Sequence, residues 1–178
     1  CSNGTVALHL ALIAAGVGTG DKVIVPDFTY VASINAILYV GATPVVVDVD
    51  QRTWVMDIKN ISDACLSQAK AILLVDIYGY PSLSRADSNY LKKYDLAIIQ
   101  DCAESLGSFL DKKHTGSHAD FATFSFFGNK TITTGEGGAV WSRDIDSAEF
   151  IDKIKSQGIK KGTRYEHEVV HGWVGFSV

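Results

Sequence analysis

Apolar and small residues dominate from Val6 to Gly16, a run long enough for a mostly buried helix. Ser2 or Asn3 is placed to cap it, and Gly16 and Gly18 to end it. Lys22 to Val25 then reads as a short strand between Asp21 and Pro26. A second helix is predicted from Val31 to Val40, ended by Gly41. The pattern continues with a strand over Thr43–Val49, a helix over Asp57–Ala69 and an apolar strand over Ala71–Val75. Turn residues surround Gly79 and Pro81, and a helix over Ser84–Tyr94 follows. The remaining predicted strands are Leu96–Gln100, Ala119–Ser125 and Gly138–Trp141, before a polar helix from about Ser147 to Gln157.

Strands alternate with helices, and several strands are wholly apolar. That predicts an α/β fold with a mostly parallel sheet, sandwiched by helices and buried on both faces. Ligands in such folds bind beyond the carboxyl ends of the strands. Asp101 and Ser125 both stand where strands end. No internal repeat, low-complexity segment or clear linker interrupts the pattern.

Composition narrows the class. The chain has 178 residues, enough for one domain with a sizeable core. Apolar residues at 47% against charged residues at 20% describe a globular chain rather than a disordered one. The formal net charge of -4 leaves no broad basic face for nucleic acid. No apolar run is long enough to cross a bilayer, so no membrane partner is expected. Cys1, Cys65 and Cys102 have neither metal-like nor paired spacing, which fits a reduced, cytoplasmic setting. The chain opens without a Met and stops inside an apolar segment, so a longer polypeptide is expected.

Candidate chemistry centres on Lys130, in the run FATFSFFGNKTITTGEGG. The lysine follows an apolar strand and is flanked by hydroxyls and glycines. Small apolar surroundings suit an amine used as a nucleophile; the ordinary reading of a loop lysine is a solvated cation. Asp101 closes the run Ile98-Ile99-Gln100-Asp101. A carboxylate there can keep a pyridine nitrogen protonated, or simply cap a turn. An amine for a Schiff base plus such a carboxylate is what pyridoxal phosphate requires. Gly4 and Thr5 lie at the first turn of a helix, where exposed amides and the helix dipole favour a phosphate; a plain cap is the alternative. Ser125, five residues before Lys130, is placed to donate to the same phosphate. Tyr30 can stack on a flat ring or pack as an ordinary aromatic. Glu104 can reach the same cavity or stay a solvated charge. Gly16-Val17-Gly18-Thr19-Gly20 follows a helix instead of opening one, so it fails as a dinucleotide loop. His9, His114, His118, His167 and His171 show no paired metal-ligand spacing.

The order SNGTVAL, PDFTYVAS, ATPVVVDVD, QDCAESLGS and FSFFGNKTITTGEGG resembles the DegT/DnrJ/EryC1/StrS family of sugar aminotransferases. The resemblance runs over nearly the whole chain and implies the large domain of a fold-type I pyridoxal phosphate enzyme, here in part. It implies that Lys130 holds the cofactor as a Schiff base and then moves the proton. Asp101 would pair with the pyridine nitrogen, and Glu104 would lie near the ring hydroxyl. Gly4, Thr5 and Ser125 would bind the phosphate, with Tyr30 stacked on the ring. Lysine rather than histidine at position 130 separates this chain from the family's sugar dehydratases. The run GNKTITTGEGG resembles members that aminate position 4 of the hexose, the perosamine-synthase-like branch. The resemblance thus implies transfer from L-glutamate to a nucleotide-linked 4-keto-6-deoxyhexose, in a homodimer.

Two departures stand out. Val174 lies where the family carries an asparagine that reaches the partner's phosphate. Asp76 sits where many relatives carry histidine. The N-terminal lead segment and C-terminal small domain of the family are not matched, so residues 1–178 are expected to be a partial cofactor-binding domain. The competing expectation is a truncated or decayed homologue that binds cofactor or sugar without turnover.

Overall fold

A computed structural model of the chain describes residues 1–159, 162, 163 and 166. Val174 lies outside the described residues. Helix α1 spans Gly4–Ala14, and the Asn3 side chain caps it by accepting from the Val6 amide at 3.0 Å. Strand β1 is Lys22–Pro26, helix α2 Val31–Tyr39 and strand β2 Thr43–Val47. Strand β3 is Ala71–Val75, helix α4 Arg85–Leu91 and strand β4 Ala97–Asp101. Asp101 is therefore the last residue of its strand. Between β2 and β3 the expected helix is divided. A 3-10 turn covers Ile58–Asn60, and helix α3 covers only Asp63–Gln68. Asp57 caps the turn and Ser62 caps α3 through the Cys65 amide. Two caps five residues apart start two elements, which breaks the single helix expected there.

After β4, a small hairpin pairs β5 (Phe109–Leu110) with β6 (Lys113–His114). Strand β7 (Phe121–Ser125), strand β8 (Gly138–Ser142) and helix α5 (Ile145–Lys155) complete the order.

The six-stranded sheet runs β2-β1-β3-β4-β7-β8. All neighbours are parallel except β8, which runs antiparallel to β7. This is the α/β architecture expected from the pattern. Strand side chains alternate between two cores. Val23, Val25, Leu73 and Ile99 face the cluster containing α1 and α2, and Ile151 of α5 joins them. Ile24, Ile72, Leu74 and Ile98 face the opposite cluster, with Leu66 of α3 and Leu91 of α4. Helices on both faces explain why β3 is buried at every position.

Two features place the site. The strand order reverses between β1 and β3, which opens a crevice at their carboxyl ends. The antiparallel β8 returns the chain so that Gly138 pairs with Ser125. Gly138 also exchanges two backbone hydrogen bonds with Cys1, at 2.8 and 2.9 Å. A side chain at Gly138 would collide with the Asn3 backbone. The start of α1 is thereby clamped against the carboxyl end of β7.

Candidate active site

A cavity of about 330 Å³ opens at the carboxyl ends of the strands. Its lining brings together all seven residues singled out from the sequence: Gly4, Thr5, Tyr30, Asp101, Glu104, Ser125 and Lys130. They come from four separate stretches of chain, so their convergence is a product of the fold. Its size suits a small organic ligand.

At one part of the lining stands the first turn of α1. The leading amides of a helix have no intrahelical acceptor and carry the positive end of its dipole. Asn3 takes the Val6 amide, and Gly4 and Thr5 face the cavity. A Cβ on Gly4 would lie 2.9 Å from Ser125 Cβ and 3.2 Å from its Oγ. Glycine here lets the helix start abut the end of β7, placing backbone amides and a hydroxyl side by side. Ser125 Oγ accepts from the Phe127 amide at 3.4 Å. Such a cradle fits a phosphate.

Asp101 is buried at the end of β4 and accepts from the Ala103 amide at 3.1 Å. Burial pushes its carboxyl up to about 6. The Ala103 hydrogen bond opposes this rise, and the neighbouring Asp76 charge adds to it. Lys130 lowers the value in turn, and Glu104 raises it. The Asp101 pocket thus favours positive charge on whatever faces it.

Lys130 Nζ lies 3.4 Å from Glu104 Oε1. The amine is less apolar in its surroundings than the sequence suggests, because this carboxylate is its partner. Glu104 is not a free solvated charge either. Its Oε2 accepts from the Tyr78 amide at 2.7 Å, and Tyr78 is held in left-handed backbone at φ 54°. Tyr30 is 73% exposed at the start of α2 and is among the residues lining the cavity.

The sequence reading assigned no site role to several lining residues, among them Asn3, Phe127, Asn129 and Glu136. Asn3 was visible only as a cap. Asn129 and Glu136 flank Lys130 in a loop whose path no local pattern dictates.

The arrangement provides an anion cradle, a buried carboxylate and an amine around one cavity. A flat cationic heterocycle bearing a phosphate and an aldehyde fits that donor set.

Comparison with known proteins agrees. The chain is 48% identical over 169 residues to the GDP-perosamine synthase of Escherichia coli O157:H7, covering 95% of this chain and 46% of that protein. The chain thus spans about half the length of the curated relatives it matches. Among solved structures, 3-amino-5-hydroxybenzoic acid synthase superposes with a TM-score of 0.87 at 35% identity, over 94% of this chain and 44% of that one. The PLP form of the putative sugar aminotransferase Spr1654 from Streptococcus pneumoniae superposes with a TM-score of 0.84 at 31% identity. That match covers 98% of this chain and 49% of the other. The model of the DegT/DnrJ/EryC1/StrS aminotransferase family matches residues 1–178. This chain belongs to the DegT/DnrJ/EryC1/StrS aminotransferase family.

Proposed function

We propose that the chain is the cofactor-binding part of a pyridoxal-phosphate-dependent aminotransferase. Its amino donor is L-glutamate, and its acceptor is a nucleotide-linked 4-keto-6-deoxyhexose. The observation that carries this reading is the convergence of Lys130, Asp101 and the Gly4–Ser125 cradle on one cavity. Likeness to a GDP-perosamine synthase supports an amino sugar as the product.

Pyridoxal phosphate, when bound, supplies an electron sink conjugated to the substrate carbon. The chain supplies the rest. Gly4, Thr5 and Ser125 bind the phosphate through amides and a hydroxyl. Asp101 holds the proton on the ring nitrogen, a task suited to a carboxyl in a buried, negatively biased pocket. Lys130 would hold the cofactor through Nζ, and the same amine would serve as general base and acid. Glu104, 3.4 Å from Nζ, steadies that amine and lies near the ring hydroxyl. Tyr30 covers a face of the ring. The working unit is a cytoplasmic homodimer, and neither nucleic acid nor membrane enters the reaction. Among the described residues, no helix is long and apolar enough to cross a membrane.

The test is a visible absorption spectrum of the full-length protein with pyridoxal phosphate, before and after L-glutamate. A visible band that glutamate bleaches, and that Lys130→Ala lacks, is the expected result. A folded protein without the band overturns the cofactor reading and favours a non-catalytic homologue. A band that glutamate leaves unchanged overturns the donor alone.

A further inference from the structure

Asp76 directly follows β3, is 1% exposed, and lines the cavity. Its backbone amide donates to the Asp101 carbonyl at 3.0 Å, so the two residues stand side by side at the ends of neighbouring strands. Its carboxylate is surrounded by donors from three segments. Ser82, in the loop after β3, donates its amide at 2.8 Å and its hydroxyl at 2.6 Å. Gln100 of β4 donates Nε2 at 2.9 and 3.1 Å to the two oxygens. Ser105, next to Glu104, donates its hydroxyl at 2.6 Å. Gln100 is itself oriented, because its Oε1 accepts the Gly116 amide at 3.0 Å.

These donors are all neutral. Neutral donors of this kind solvate a carboxylate with dipoles and place no cation beside it. Its field therefore reaches its neighbours. A residue needed only to tie loops together has no requirement for charge. A buried charge costs free energy unless it is used or well solvated by dipoles.

We propose that Asp76 is a positioning residue whose buried charge sets the electrostatic potential at Asp101 while its hydrogen bonds anchor the segments around it. The proposal rests on the cofactor reading above and deepens it. A more negative potential at Asp101 favours the proton on the ring nitrogen that faces it. Asp76 contributes to the raised proton affinity of Asp101, as does Glu104, whereas Lys130 opposes it. Cys102, between the two carboxylates and Ser105 in sequence, is buried and has its thiol pushed up, first by burial and next by Asp76. It stays neutral and adds no competing charge.

The experiment compares Asp76→Asn, which removes the charge in nearly the same shape, with Ser105→Ala, which removes one anchor and keeps the charge. The first readout is the carboxyl-carbon NMR titration of Asp101 in the cofactor-free protein. The second is the pH titration of the visible band in the loaded protein. In Asp76→Asn the Asp101 midpoint is expected to fall by about one pH unit, the usual scale for a neighbouring charge. The band titration moves to lower pH with it. Ser105→Ala lowers the melting temperature but leaves both midpoints in place. If Asp76→Asn does not fold, Asp76→Ser serves instead, since it too removes the negative charge and brings in no titrating group. An unmoved Asp101 midpoint, or an equal shift in Ser105→Ala, overturns the proposal. A wild-type protein without a visible band overturns the cofactor reading instead, and the cofactor-free NMR titration still decides the role of Asp76.

Discussion

Replacing Asp101 by asparagine should make the cofactor-free protein more stable at neutral pH while removing its function. The carboxyl is raised from an ordinary 3.8 to about 6 in the folded chain. Below about pH 4 both states are protonated and the group contributes nothing. Between about pH 4 and 6 the folded state holds more protons, so stability falls as pH rises. Above about pH 6 the whole cost of ionising a buried carboxylate is present. A difference of about two units corresponds to roughly 3 kcal/mol at 1.36 kcal/mol per unit. Asparagine keeps an oxygen for the Ala103 amide and carries no charge. Asp101→Asn should therefore match wild type near pH 3.5 and exceed it by up to about 3 kcal/mol near pH 8. With a urea slope of about 2 kcal/mol per molar, the midpoint moves up by roughly 1 to 2 M. The assay is urea unfolding of both proteins across that pH range. A gap that is absent at pH 8, or that does not grow with pH, refutes the reasoning. The same variant should fail to retain pyridoxal phosphate, which would show stability given up for function.

Three further outcomes follow from packing and hydrogen bonding. Gly4→Ala gains up to about 1 kcal/mol of helix propensity but overpacks Ser125 by about 1–3 kcal/mol. A net loss is expected, and a double-mutant cycle with Ser125→Gly in urea unfolding should show coupling above about 0.5 kcal/mol. Gln100→Leu leaves the Gly116 amide without its acceptor and strips Nε2 from Asp76. It should cost about 2–4 kcal/mol in unfolding and speed hydrogen exchange at Gly116. Asn3→Ala removes the α1 cap and should cost about 1 kcal/mol in thermal unfolding.

Legibility differed from element to element. The apolar runs at Val23–Val25, Ala71–Val75 and Ile98–Ile99 read directly as strands because both of their faces are buried. The division between residues 57 and 69 was hidden because its signals are caps, Asp57 and Ser62, embedded in a helix-like composition. The β5–β6 hairpin gave no warning. Its turn uses Asp111 and Lys112 in left-handed backbone, without the glycine or asparagine that usually marks such a turn. Gly4, Thr5, Tyr30, Asp101, Ser125 and Lys130 stood out because they sit at a helix start, a strand end or a glycine-rich loop, whereas Glu104, three residues past β4, stood out through the family resemblance. Asp76 was visible only as a departure from relatives. That Ser82, Gln100 and Ser105 converge on it depends on the three-dimensional path of the chain.

The clamp between Cys1 and Gly138 also has a temporal meaning. During synthesis α1 emerges well before its partners β7 and β8. At about 5–20 residues per second, roughly 7 to 30 seconds separate them. For that interval the apolar side of α1, with Leu8, Leu10 and Leu12, lacks its final cover. For that time the nascent chain carries a sticky helix whose available cover is α2, the next helix along the chain. Such distant pairing also predicts slow refolding from denaturant, with the cavity acquiring its ligand-binding competence among the last events.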